Sequence, residues 1–361
     1  MGRKSALKDT DGIEYIDFIC GLGTNLFGYG NNRVNSAISK AIAGGISHSL
    51  PTTKEGECAE RLTELFPFVE KFKFLCTGSE VCSAAIRMAR SYTGRSKVLS
   101  EGYHGWSDAF VSLTPPADGV PKHPDMSMLK PDFSNLDEDT AAVIIEPFIT
   151  DTSEARIAWL KALRSLCTKR GIVLIFDEVI TGFRYRNHSV SQDIKVIPDL
   201  ICLGKAMGSG IPIAAVAGNT DILDGDYFVS STNAGSVAGL AAAIAAVDLL
   251  GGVPSYNINR LWDSGKYFLK QFNKLHPGLT IEGYPTRGAF KGDDKTKALF
   301  FQECAKSGIL FGPSWFFNFD HVHDMDFVLD SCAAILERIK RDEITLEGMM
   351  PTSAFAEKAR K

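Results

Sequence analysis

The stretch Gly171–Arg184, GIVLIFDEVITGFR, sends five apolar residues straight into two adjacent carboxylates. Ile172 to Phe176 has no alternating polar face, so it reads as a strand covered on both sides, the pattern of a parallel sheet. Asp177 and Glu178 then stand at its carboxyl end, where a buried charge is costly unless something answers it. A positive charge, the protein's own or a ligand's, is expected there.

Working outward, the same pattern recurs. Phe72-Lys-Phe-Leu75 is a short strand ending at Thr77-Gly78-Ser79-Glu80, after which Val81, Ala84, Ala85, Met88 and Ala89 repeat at helical spacing. Lys97-Val-Leu99 leads into Tyr103-His-Gly-Trp106, and Ala141 to Ile145 ends at Glu146-Pro147. A helix from about Ser153 to Arg170 precedes the opening strand; Leu200 to Leu203 ends at Gly204-Lys205, and Ala214 to Gly218 gives one more strand. Six short buried strands interleaved with helices predict an α/β fold, a mostly parallel sheet with helices on both faces. Functional residues in such sheets gather beyond the carboxyl ends of the strands. Here those ends carry Gly78-Ser79, Tyr103-His104, Glu146, Asp177-Glu178 and Lys205, aimed at one crevice.

Around Gly251-Gly-Val-Pro254 the pattern changes. A helix from Asn257 to Leu275 is followed by segments punctuated with Gly, Pro and Lys, then by a terminal helix, Met325 to Lys340, started by Asp324. The expected organisation is a large ligand-binding domain over 51–255 and a small α+β domain over 256–361, with residues 1–50 packing against the latter. The last ten or so residues, ending Glu357-Lys-Ala-Arg-Lys361, are expected to fray.

With 361 residues, 45% of them hydrophobic, the chain is ample for a large core. A net charge of -4 offers no basic surplus to neutralise a phosphate backbone, which excludes a nucleic-acid partner. The eight cysteines form no C-x-x-C pair and several lie in apolar runs, as reduced core residues of a cytoplasmic protein do. The N-terminus is charged without an apolar h-region, and no run approaches the roughly eighteen apolar residues of a membrane span. Secretion and membrane insertion are therefore disfavoured.

Thr77-Gly78-Ser79-Glu80 lies at a strand-to-helix turn, where free N–H groups and the helix dipole make a natural anion site. The plain alternative is that its hydroxyls only cap the helix. Lys205 sits between a buried strand and a glycine-rich turn; a half-buried lysine loses proton affinity and becomes an amine able to form a Schiff base. The alternative is a lysine that snorkels to the surface or pairs with Asp177. Taken together, a phosphate cup, a Schiff-base lysine, a carboxylate for a pyridinium nitrogen and an aromatic ring specify pyridoxal 5′-phosphate. The cation opposite Asp177 is then the ring nitrogen of that cofactor.

On these residues the chain resembles the class III aminotransferases of fold type I, which include ornithine and ω-amino acid aminotransferases and glutamate-1-semialdehyde 2,1-aminomutase. The resemblance covers nearly the whole chain. It is carried by Asp11-Gly-Ile-Glu-Tyr-Ile-Asp17, Thr77-Gly-Ser-Glu80, Tyr103-His-Gly-Trp106, Glu146-Pro147, Asp177-Glu-Val-Ile-Thr-Gly-Phe-Arg184, Gly204-Lys205 and Ser230-Ser-Thr232. It implies that Lys205 is the Schiff-base lysine, Asp177 the partner of the pyridine nitrogen, and Val179 the apolar contact on one ring face. It further implies that Tyr103 stacks on the other face, that Gly78 and Ser79 hold the phosphate, and that Thr232 reaches the phosphate of a second subunit in a homodimer.

Members of this family usually carry several dozen residues before the Asp11-Gly12 segment, and these often help to shape the substrate pocket. Here almost none precede it, so substrate recognition is expected from elsewhere, with Arg184, Arg287 and the Gly21 to Tyr29 loop as candidates. Asp320-His-Val-His-Asp324 has the residue types of a metal site, but two His at i, i+2 beside a helix start fit a polar loop and cap better. Glu178 is expected to position its neighbours by hydrogen bonding, and His104 to belong to the Tyr103 turn without handling protons.

The expected activity is amino transfer between an amine or amino acid donor and a keto acid or aldehyde acceptor, with ping-pong kinetics. Alternatives are a 2,1-aminomutase, using the same chemistry on one substrate, and a non-catalytic protein that binds the cofactor. A nicotinamide dehydrogenase is disfavoured because no strand is followed by G-x-G-x-x-G with an acidic residue about twenty positions on.

Overall fold

The computed structural model describes residues 1–114 and 116–348, without the Asn187 side chain; the expected fraying of the C-terminal residues lies outside this range. The described residues form two compact units, one of 36–148 and 153–247, the other of 1–35, 149–152 and 248 onward. Three short strands open the chain, β1 (Gly2–Arg3), β2 (Ala6–Lys8) and β3 (Glu14–Asp17). Then come β4 (Lys71–Leu75), β5 (Lys97–Glu101), β6 (Met126–Met128), β7 (Thr140–Ile145), β8 (Val173–Asp177), β9 (Leu200–Leu203) and β10 (Ala214–Gly218). The last are β11 (Leu279–Tyr284), β12 (Arg287–Gly292), β13 (Ile309–Leu310) and β14 (Ser314–Phe316).

In the first unit, seven strands make one sheet in the order β4-β10-β9-β8-β7-β5-β6. Pairs from β6 through β9 are parallel, while β10 runs antiparallel to both of its neighbours. Every residue of β7 and β8 is buried, so both faces are covered as the unbroken apolar runs require. On one face the helix Gly78–Thr93 sets Val81, Ala84, Ala85 and Met88 in a core with Val173, Ile175, Cys202 and Val216. Each large apolar side chain buried in this way contributes about 1.5–3 kcal/mol. That helix is capped by Thr77 and stopped by Gly94 at φ 66°. The helix Glu154–Arg170 is capped by Ser153, which accepts from Arg156 N, and ends at Gly171 with φ 61°, delivering the chain into β8.

The other unit has a four-stranded sheet, β1-β2-β3-β13, and an antiparallel three-stranded sheet, β11-β12-β14. Its long helices are Ile258–Phe272, Asp294–Lys306 and Met325–Lys340. Its core is aromatic: Phe18 stacks on Phe311 at 4.8 Å and Phe268 on Trp315 at 5.4 Å. Among the described residues, no helix is long and apolar enough to cross a membrane.

Candidate active site

Alternation along β8 separates the two carboxylates that end the opening stretch. Val173 and Ile175 share a core with the helix Gly78–Thr93, and Asp177, two residues further on, points the same way. Its Oδ2 lies 2.8 Å from His104 Nδ1 and accepts the Cys82 thiol at 3.4 Å, while Oδ1 accepts Val179 N at 3.0 Å. The other ring nitrogen of His104, Nε2, lies 3.1 Å from the Glu101 carbonyl oxygen. Both nitrogens of this buried ring therefore face acceptors. His104 thus bridges the Asp177 carboxylate and the Glu101 carbonyl, tying the Tyr103 turn to the end of β8.

Glu178 turns to the other side and is fully buried. Thr181 Oγ1, Ser189 Oγ, Ser191 Oγ and the backbone N–H groups of Val190 and Ser191 donate to its carboxylate, at 2.5 to 3.1 Å. Burial pushes its proton affinity above the ordinary carboxylate value, against the pull of the Ser191, Val190 and Thr181 hydrogen bonds. Glu178 is thus the hub of the 181–191 segment, the positioning role that its place after the strand suggests.

At the carboxyl end of β4, the first-turn N–H groups of the helix Gly78–Thr93 divide into two pairs. Glu80 N is taken by Thr77 Oγ1 at 3.2 Å and Val81 N by the Thr77 carbonyl at 3.1 Å. Glu80 returns the cap, accepting from Cys76 N and Thr77 N. Thr77 and Glu80 therefore fill the plain capping role, and the N–H groups of Gly78 and Ser79 are the pair left to meet an anion. Ser79 Oγ accepts Trp106 N at 3.1 Å, which leaves its own hydrogen to donate. The approach of the Tyr103–Trp106 turn requires Gly105: at φ +104°, a Cβ there would lie 2.1 Å from Ser79 Oγ.

Val179 joins three strand ends. A Cβ on Gly78 would lie 3.1 Å from Val179 Cγ1, and one on Gly204 would lie 3.4 Å from the same methyl. Lys205 follows Gly204, three residues beyond the Cys202 that pairs with Asp177 in the β8–β9 ladder. Its side chain is half-buried, and its backbone sits at φ 47°, a left-handed conformation that is strained for a residue with a side chain. Gly78, Ser79, Asp177, Val179 and Lys205 thus meet around the end of β8.

Tyr103 stands beside His104 and is 47% exposed. Thr232 is exposed, while its neighbour Ser231 is anchored at the same helix start, with Oγ 3.4 Å from Glu80 Oε1 and 3.7 Å from Cys76 Sγ. Arg184 is fully buried within the segment that Glu178 organises. Arg156, which the sequence did not single out, clamps the ends of two strands. It pairs with both carboxylate oxygens of Glu101 at 3.0 and 2.9 Å and donates to the carbonyls of Glu146 and Pro147. Cys82 was equally invisible, since its partner Asp177 lies 95 residues away.

In the other unit, Arg287 opens β12 opposite Tyr284 and Phe316. The Gly21 to Tyr29 loop is held by Asp17, whose carboxylate accepts Ile19 N, Cys20 N and the Tyr29 hydroxyl. In the Asp320–Asp324 motif, His321 is a core residue: Nδ1 accepts Asn318 N at 3.1 Å, Nε2 lies 3.0 Å from the Asp17 carbonyl, and the ring stacks on Phe18. Asp324 accepts the Ser5 hydroxyl at 2.6 Å.

A family profile described as Aminotransferase class-III matches residues 2–316. The glutamate-1-semialdehyde 2,1-aminomutase of Opitutus terrae is 32% identical over 86% of this chain and 84% of its own length. A solved structure described as the PLP internal aldimine form of the Sphingopyxis sp. MTA144 FumI protein superposes with a TM-score of 0.88. It is 25% identical and covers 96% of this chain and 90% of its own. An omega-transaminase from Sphaerobacter thermophilus, 23% identical, has the same fold, with a TM-score of 0.83 over 94% of this chain and 90% of its own. The chain belongs to the class-III aminotransferase family.

Proposed function

We propose that the protein is a pyridoxal 5′-phosphate-dependent aminotransferase that passes an amino group from an amine or amino acid to a keto acid or aldehyde in two half-reactions. The observation that carries this reading is the meeting of a helix start with free N–H groups, a strained lysine and a carboxylate braced by a buried imidazole around the end of β8. These residues fit the cofactor. The Gly78 and Ser79 N–H groups and the Ser79 hydroxyl suit its phosphate, Asp177 its ring nitrogen, and the Val179 methyls one apolar ring face. Tyr103 supplies an aromatic face, and the Lys205 amine holds the aldehyde carbon. When bound, the cofactor supplies an electron sink for the carbanion left as an amine-bearing carbon loses its proton. Lys205, freed when the incoming amine takes its place on the aldehyde carbon, would move that proton, as base and then as acid. Asp177 keeps the ring nitrogen protonated, with His104 holding the carboxylate from behind. A second copy of the chain donates Thr232 to complete the phosphate cup, a reading supported by the exposure of Thr232 beside the anchored Ser231.

A second reading, movement of the amine between neighbouring carbons of one substrate, is favoured by the name of the Opitutus terrae relative. One experiment separates the two. Amino donors (ornithine, alanine, β-alanine, simple amines) are tested against pyruvate and 2-oxoglutarate, and glutamate 1-semialdehyde is tested alone. Turnover that needs both a donor and an acceptor is expected. Sustained turnover of glutamate 1-semialdehyde without an acceptor would replace this reading with the second. A protein that neither retains the cofactor nor turns over would overturn both.

A further inference from the structure

We infer that Cys82 is a positioning residue for Asp177: its thiol hydrogen, with His104, fixes one carboxylate oxygen so that the other is aimed at the cofactor's ring nitrogen. The inference rests on the assignment of Asp177 to that nitrogen.

The geometry is one of filled positions. A carboxylate offers about two acceptor directions on each oxygen. Oδ2 has both occupied, by His104 Nδ1 at 2.8 Å and Cys82 Sγ at 3.4 Å. Oδ1 accepts Val179 N at 3.0 Å and has one direction left. Without the thiol, Oδ2 regains an open position, and the carboxylate has two ways of meeting a cation instead of one. Cys82 is fully enclosed, at 1% exposure, with Cys202 of the neighbouring strand as its other sulfur contact. Burial pushes its thiol well above the ordinary value, so the sulfur keeps its hydrogen and stays a donor.

The position of Cys82 adds a second consequence. It lies four residues after Gly78 in the helix Gly78–Thr93, on the same face and about one turn further along. The helix that presents its first N–H groups to a phosphate thus also holds the carboxylate that meets the ring, and both ends of one ligand are referred to a single rigid element.

The test uses the full chain, stripped of cofactor and titrated with pyridoxal 5′-phosphate and with its 1-deaza analogue, which has carbon in place of the ring nitrogen. The readout is the ratio of the two dissociation constants, which isolates the contact at the nitrogen. Cys82→Ala, which leaves a gap, and Cys82→Val, which fills it without a donor, are both expected to lower the ratio by about threefold to tenfold. Cys82→Ser, which keeps a donor, is expected to stay within about twofold of wild type. Asp177→Asn is the control for the underlying assignment: a wild-type ratio there would remove Asp177 from the nitrogen, and this inference with it. If Asp177→Asn collapses the ratio while Cys82→Val keeps it, or if Cys82→Ser falls with Cys82→Ala, the sulfur only fills space and the inference is overturned.

Discussion

His104 and His321 are both buried imidazoles, one in each compact unit, yet their ring nitrogens meet different company. His321 has one N–H donor and one carbonyl acceptor facing it, so a single neutral tautomer satisfies both nitrogens. His104 has acceptors on both sides, a carbonyl and a carboxylate. The first arrangement is complete in itself and belongs to a core that needs only to persist. The second ties a carboxylate at a strand end to the turn that follows β5. Burial alone does not distinguish them; the polarity of the two neighbours does.

The contrast is open to experiment at three depths. Asp177→Ala should break it most, removing the carboxylate that gives His104 its second acceptor. Single-turnover amino transfer is expected to fall by at least about a hundredfold, the scale on which losing one aimed electrostatic group acts. Near-wild-type rates would take Asp177 out of the reaction. His321→Leu should act on stability instead, because it strands the buried Asn318 N–H and removes a donor from the Asp17 carbonyl. A loss of about 1–3 kcal/mol is expected from urea unfolding, with the rate per folded molecule unchanged. Lost rate at full stability would show that the two histidines are not different in kind. His104→Asn sharpens the comparison at the smallest scale: transfer should slow by about tenfold, while the melting temperature should move less than in His321→Leu.

Much of this was legible in the sequence because strand ends are legible. Short apolar segments located β4, β5, β7, β8, β9 and β10, and the residues that follow each mark where a sheet delivers its side chains. Gly78, Asp177 and Lys205 were found in that way, while Val179 came from the family resemblance. β6 was missed because Met126–Met128 is a three-residue edge strand whose pairing comes from β5 and not from its own pattern. His104 was singled out and Cys82 was only one of eight cysteines, and neither was read as a partner of Asp177, since contacts across 73 and 95 positions leave no local trace. That His321 is a buried core ring within the expected polar loop was equally invisible, because it depends on an Asn318 N–H and a carbonyl contributed by β3.

Asp177 and Glu178 are neighbours in the chain but serve opposite faces of the sheet, and this makes the phase of β8 a chemical quantity. Loss of any one residue between 172 and 176 would leave an apolar strand still able to pair. If the strand's start stayed anchored, the parity of its end would invert. Glu178, longer by a methylene, would then swing toward His104 and Cys82, and the serine- and threonine-lined pocket of the 181–191 segment would receive Val179. Such a deletion would spare much of the hydrophobic burial and forfeit the reaction, so insertions and deletions should be tolerated least in a stretch whose individual apolar residues are nearly interchangeable.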